Sequence, residues 1–120
     1  MIRRQEGETK TMKAIMIDAL KKEIREVENS KDVMIAQKYL NCDSLEAVYL
    51  VSDKDSPPAY IYIDEFGQEK DASVVGGFKI ANFPHPIIGS GLIVGVEVFT
   101  GEEVDTHLSV DDVKSMVIFL

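Results

Sequence analysis

Leu45 to Asp64 reads LEAVYLVSDKDSPPAYIYID, and the reading of this stretch decides the fold class. In its second half Tyr60 and Tyr62 alternate with Ile61 and Ile63. That period of two puts successive side chains on opposite faces of a strand. The first half, Leu45 to Ser52, is a mainly apolar run of strand length. Between them Asp53 to Pro58 reads as a turn, because adjacent prolines remove two backbone donors and forbid a helix. Two strands joined by a turn form a hairpin, so the frame is an antiparallel sheet.

Upstream, Lys13 to Asp18 is strand-like and apolar on both faces, as expected of a strand covered on both sides. Lys21-Lys22 breaks it, and Glu23 to Glu28 returns as a polar edge strand. Asn29 and Ser30 offer an N-cap for a helix over Lys31–Leu40, where Val33, Ala36, Tyr39 and Leu40 recur at helical spacing. Asn41, Cys42 and Asp43 end that helix.

Downstream, Glu65 to Gln68 is a turn, Lys70 to Gly77 a loop, and Phe78 to Asn82 a short strand. Phe83 to Gly91 reads as a loop fixed by Pro84 and Pro86. Leu92 to Thr100 is the longest strand signal; Gly101 to Glu103 turns the chain into a partner strand over Val104–Leu108. Ser109 caps a last helix, with Asp112 completing a capping box. Val117 to Leu120 is apolar and is expected to be buried. The sum is an α+β domain over residues 12–120, with a mainly antiparallel sheet of about six strands and two helices. Met1 to Thr11 is polar and aperiodic and reads as a disordered leader, with Met12 a second candidate start.

The 120 residues hold 21 acids and 13 basic residues, a net charge of -8. Such a balance disfavours direct nucleic-acid binding and suits a basic protein partner. One cysteine, Cys42, allows no internal disulfide and fits a reducing cytoplasm. The longest apolar stretch, Pro86 to Phe99, is Gly-broken and carries Glu97, so no membrane association is expected.

Motifs that carry chemistry fail on context. Gly89-Ser90-Gly91 with Gly95 lacks the preceding strand and following helix of a dinucleotide loop, and a tight turn into a strand is the favoured reading. Asp53, Asp55 and Asp64 have calcium-loop spacing, but Pro58 stands where that loop needs Gly. His85 and His107 lack further ligands at zinc spacing, so neither metal nor cofactor is expected. Cys42 sits at a helix C-terminus beside Asp43, where a thiolate is disfavoured. Ser44, Ser73 and Ser90 lack a nucleophile elbow, and adjacent acids such as Glu102-Glu103 point to different sides. No catalytic constellation remains, and the chain is read as a non-enzyme.

A binding surface is a different matter. Pro84, His85 and Pro86 form a rigid tip, and Gly89, Ser90 and Gly91 let backbone approach a partner. Tyr60 and Tyr62 share a strand face that either stacks on a ligand or packs in the sheet, the second being favoured.

The order of Lys13 to Asp18, Ile24 to Glu28, Tyr62 to Gly67, Phe78 to Ile80, Pro84-His85-Pro86, Gly89 to Gly95 and Val117 to Phe119 resembles the family catalogued as domain of unknown function 3846. The resemblance spans Met12 to Leu120 and departs at Val96 to Phe99, where a shorter acidic turn is usual. It implies a phage or mobile-element accessory protein, with an anti-defence role among the expectations, and transfers no catalytic residue. Two functions follow as expectations: a cytoplasmic acidic module that engages a basic host protein, or a small-ligand or nucleotide binder using Pro84 to Gly91.

Overall fold

The computed structural model describes residues 11–30, 33–51, 58–81 and 83–120. The leader through residue 10, the first two residues of the expected helix (31–32), residues 52–57 with all of the expected turn but Pro58, and Asn82 lie outside them.

The hairpin expected from Leu45 to Asp64 forms. Strand β3 (Leu45–Val51) pairs antiparallel with β4 (Ala59–Asp64), with an irregularity between Tyr49 and Val51. A second hairpin joins β1 (Thr11–Asp18) to β2 (Glu23–Ser30) through a turn in which Lys22 takes φ 56. Strand β7 (Gly91–Val96) lies between the hairpins, bonded to β1 on one side and β4 on the other. The sheet order is β2-β1-β7-β4-β3, with the short β8 (Glu103–Val104) pairing antiparallel with the end of β7 as a sixth strand. A three-stranded sheet, β6-β5-β9, forms from Gly77–Ile80 (β5), Ile87–Ile88 (β6) and Val117–Phe119 (β9). The fold is α+β, and every strand pair is antiparallel.

Both faces of the large sheet are covered, which explains the two-faced apolar reading of β1. Ile15 and Ile17 join Ile61, Ile93, Phe78, Ile87 and Val113 in a core beneath the small sheet and helix α3 (Val110–Lys114). Ala14 and Met16 face the other way, with Leu92 and Val94, against Ala36 and Leu40 of helix α1 (Val33–Leu40). The Ser109 capping box holds: Ser109 Oγ accepts from Asp112 N at 3.0 Å, and Asp112 Oδ2 accepts from Ser109 N at 2.9 Å.

Several expectations need correction. Asn29 and Ser30 are strand residues rather than caps, because pairing with Met12 and Thr11 carries β2 two residues further. The expected loop over Lys70–Gly77 contains a third helix, α2 (Ala72–Val75), capped by Asp71, whose side chain accepts from Ser73 N. The expected loop to Gly91 contains β6, recruited by β5. Strand β7 stops at Val96, and only Val104 of Val104–Leu108 is a strand residue. The C-terminal run is not wholly buried: β9 is an edge strand, with Ile118 69% exposed on its outer face. Among the described residues no helix is long and apolar enough to cross a membrane.

Candidate functional site

The Pro84–Gly91 segment does not form one site. Pro84 and His85 are exposed, and the His85 ring packs edge-on against Phe83 with centroids 4.9 Å apart. The Pro86 carbonyl accepts from Gln68 Nε2 at 2.9 Å, which fixes the loop to the one-turn helix at Gly67–Glu69. Beyond β6 the chain turns at Gly89, whose φ of 98 strains any side chain. Ser90 Oγ accepts from Ala19 N at 2.9 Å, tying the β1–β2 turn to the start of β7. Gly91 is buried, and its close approach is internal: a Cβ there would lie 2.7 Å from Ile61 Cδ1. His85 and Ser90 therefore face different clefts.

Ser90 opens onto a cleft of about 190 Å³ on the α1 side. Asp18 and Asp64 lie one residue beyond the paired row Ile17–Gly91–Ile63 and so flank Ser90 across the sheet. Each carboxylate has its own cation: Arg25 Nη1 is 3.0 Å from Asp18 Oδ2, and Lys70 Nζ is 2.5 Å from Asp64 Oδ2. Burial raises the Asp18 carboxyl, but the Lys21 N–H and Arg25 together outweigh it and hold it below its ordinary range. Cys42 lies nearby, its thiol pushed up by burial and by the Asp64 charge, which makes it a poor nucleophile. The charges here are consumed by one another. Among the described residues no group of three His, Cys, Asp or Glu side chains is placed to hold a metal.

Tyr60 and Tyr62 sit on the same α1-side face, half-buried, with Tyr60 edge-on to the exposed Tyr49 at 5.5 Å. They lie along the sheet from Ser90 rather than in the Pro84–Gly91 loop. Tyr62 lines a second cleft of about 250 Å³ with Asn29, Ala36, Leu45, Ala47 and Glu103. Asn29 Nδ2 donates to both Glu103 oxygens, at 3.1 and 3.3 Å. Glu103 is held above the ordinary carboxylate range by burial, with the Asn29 amide opposing. The Tyr62 phenol is pushed up by burial and then by the Glu103 charge.

Sequence reading missed both Asn29 and Glu103, taking one as a cap and the other as a turn acid. The available signal was parity: Arg25, Val27 and Asn29 share one face of β2, and Val27 on that face packs inward.

Glu103 is also the return of a hairpin. Between Val96 and Glu103, which pair, the chain makes a tight tip. Glu97 N donates to Glu102 O, Gly101 N to Glu97 O, and Phe99 N to Glu97 Oε1. The tip carries Val98 at 66% and Phe99 at 94% exposure.

No family model, curated protein or solved structure matches the chain.

Proposed function

We propose that the chain is an acidic binding module that docks on a protein with a basic surface. One observation carries this reading: Phe99, 94% exposed, stands on a hairpin tip tied down by its own hydrogen bonds and flanked by Glu97 and Glu102. An aromatic on a backbone held in this way has only its side-chain freedom left to lose on binding, so it suits an anchor for an apolar pocket on a partner. The acids around it, on a chain of net charge -8, steer a positively charged partner toward that anchor. The commitment of Asp18, Asp64, Asp71 and Asp112 to cations or backbone N–H groups supports binding over acid–base catalysis. The resemblance to a mobile-element family adds a context in which the partner is a bacterial host protein and the effect is on host defence.

Pull-down from bacterial lysate across a salt series, with wild type and Phe99→Ser side by side, tests this. The expected result is a basic protein retained at low salt, released as screening shortens to about 10 Å near 0.1 M, and absent with Phe99→Ser. If the bound species is a nucleotide or other small molecule, held indifferently to salt, the ligand-binding reading of Pro84–Gly91 takes its place.

A further inference from the structure

We propose that the cleft walled by Asn29, Tyr62 and Glu103 receives a single lysine side chain of the docked partner, its ammonium bound between Asn29 Oδ1 and the Glu103 carboxylate. The proposal rests on the docking reading above and names the chemistry by which that reading becomes specific.

The argument begins at Asn29, which is 2% exposed. A carboxylate only accepts hydrogen bonds, so the Asn29 amide must turn its NH₂ toward Glu103, as its contacts at 3.1 and 3.3 Å show. The amide oxygen, on a side chain that lines the cleft, is then left without a hydrogen-bond partner among the described residues. A buried acceptor without a donor is a cost that native proteins remove with a partner, a water or a ligand. Beside it stands Glu103, half-buried, neutralised by no lysine or arginine among the described ion pairs. The cleft thus offers acceptors and negative charge, and no lysine or arginine among the described residues lines it.

That inventory selects the occupant. An anion would meet the Glu103 charge, which the Tyr62 and Ser30 hydroxyls that also line the cleft do not offset. An apolar group would leave Oδ1 unpaired. An ammonium brings three donors and a positive charge, and it reaches the amide oxygen and a free lone pair of the carboxylate together. The Tyr62 ring adds an aromatic wall of the kind that attracts a cation. Ala36, Leu45 and Ala47 give the apolar lining that a methylene stem covers as its head reaches the polar end. At about 250 Å³ the cleft is below the usual range for a drug-sized ligand and suits one side chain. The compact ammonium fits this convergence better than a planar guanidinium, whose fork matches a free carboxylate edge that Asn29 already occupies. Continuity with the docking tip is direct: Glu103 pairs with Val96 at the root of the hairpin that carries Phe99.

NMR titration of the full chain tests the cleft without the partner. The probes are n-butylammonium, n-butanol as its neutral counterpart, and N-acetyl-lysine N-methylamide. Butylammonium and the blocked lysine are expected to move the Asn29 side-chain amide and Tyr62 ring resonances to saturation, with butanol inert. Glu103→Gln should weaken that binding about tenfold or more, whereas Glu26→Gln, the same charge change on the exposed part of β2, should leave it within about twofold. Ala47→Ile narrows the cleft from an exposed strand position without touching its polar groups, and it too should abolish the shifts, which covers a misfolded Glu103→Gln. Equal shifts with butanol, no saturable shift at all, or an equal loss with Glu26→Gln overturns the proposal. Binding of butylammonium without the blocked lysine overturns the side-chain source in favour of a free amine. Phe99-dependent capture of a basic protein alongside a silent cleft would leave the docking reading standing and sink this one alone.

Discussion

The two clefts on the α1 side of the large sheet make opposite use of the same residue types. At the Ser90 end each carboxylate has a cation beside it, Arg25 for Asp18 and Lys70 for Asp64. At the hairpin end Glu103 has an amide on it, and Asn29 is left with a bare oxygen. A closed set of charges stabilises the fold and asks for nothing further. An open set costs the fold something and invites a ligand, because desolvated polar groups are favourable only when matched. Charge pairing, rather than cleft size or the presence of acids, separates the structural end from the candidate binding end.

The strongest blow to the comparison is to remove what holds the clefts apart. Leu92 is fully buried in the row Met16–Leu92–Tyr62 and packs in the α1-side core. Leu92→Ala should cost about 2–5 kcal/mol by chemical denaturation, and it should blur both clefts in NMR spectra. Opening the closed end comes next. Arg25→Ala leaves the Asp18 carboxylate, whose side chain is 13% exposed, with only its backbone partner. Since Arg25 itself is 41% exposed, solvent takes part of the loss, and about 1 kcal/mol is expected.

A pH series sharpens the contrast further. Asp18 is lowered in the folded state, so its contribution is present above the ordinary aspartate value of 3.8 and is lost as pH falls below it. Glu103 is raised, so its contribution is present below the ordinary glutamate value of 4.5 and is lost as pH rises through its folded value. Relative to wild type, Asp18→Asn should therefore be less stable at neutral pH, with the gap closing in acid. Glu103→Gln should be slightly more stable at neutral pH, with its gain also vanishing in acid. Opposite signs at neutral pH, read from melting midpoints, are the test; like signs would remove the distinction between the ends. The smallest effect on stability belongs to Phe99→Ser, within about 0.5 kcal/mol, although it should abolish partner capture.

The sheet was legible wherever the pattern was local. The Tyr60–Ile63 alternation, the two-faced apolar run of β1 and the Ser109–Asp112 cap all depend on residues a few positions apart. What escaped was set by distance along the chain. Asn29 and Ser30 have cap-forming side chains, and only their pairing with Met12 and Thr11 makes them strand. The Asn29–Glu103 contact spans 74 positions, and no local period announces it. Val117 to Leu120 looked like core by composition alone, but only one face of β9 packs on the core, with Val117 and Phe119, and Ile118 stands on the other. In the Pro84–Gly91 segment the prolines were visible in the sequence, but which way each residue points depends on β5 capturing Ile87 and Ile88.

The place of β7 has a consequence for how the chain folds. It comes last of the central strands, and it sits between two hairpins that share no ladder with each other. Until Gly91 to Val96 is inserted, β1 and β4 each present a bare row of amides and carbonyls, the kind of edge on which chains associate wrongly. Closing the sheet therefore waits on a strand roughly thirty residues past one neighbour and seventy-five past the other, and such non-local pairing slows folding relative to a domain built from local contacts. The unfolded and half-zipped chains are the aggregation-prone species, and a slower supply of β7, whether by a weakened strand or a stalled ribosome, lengthens the time they persist.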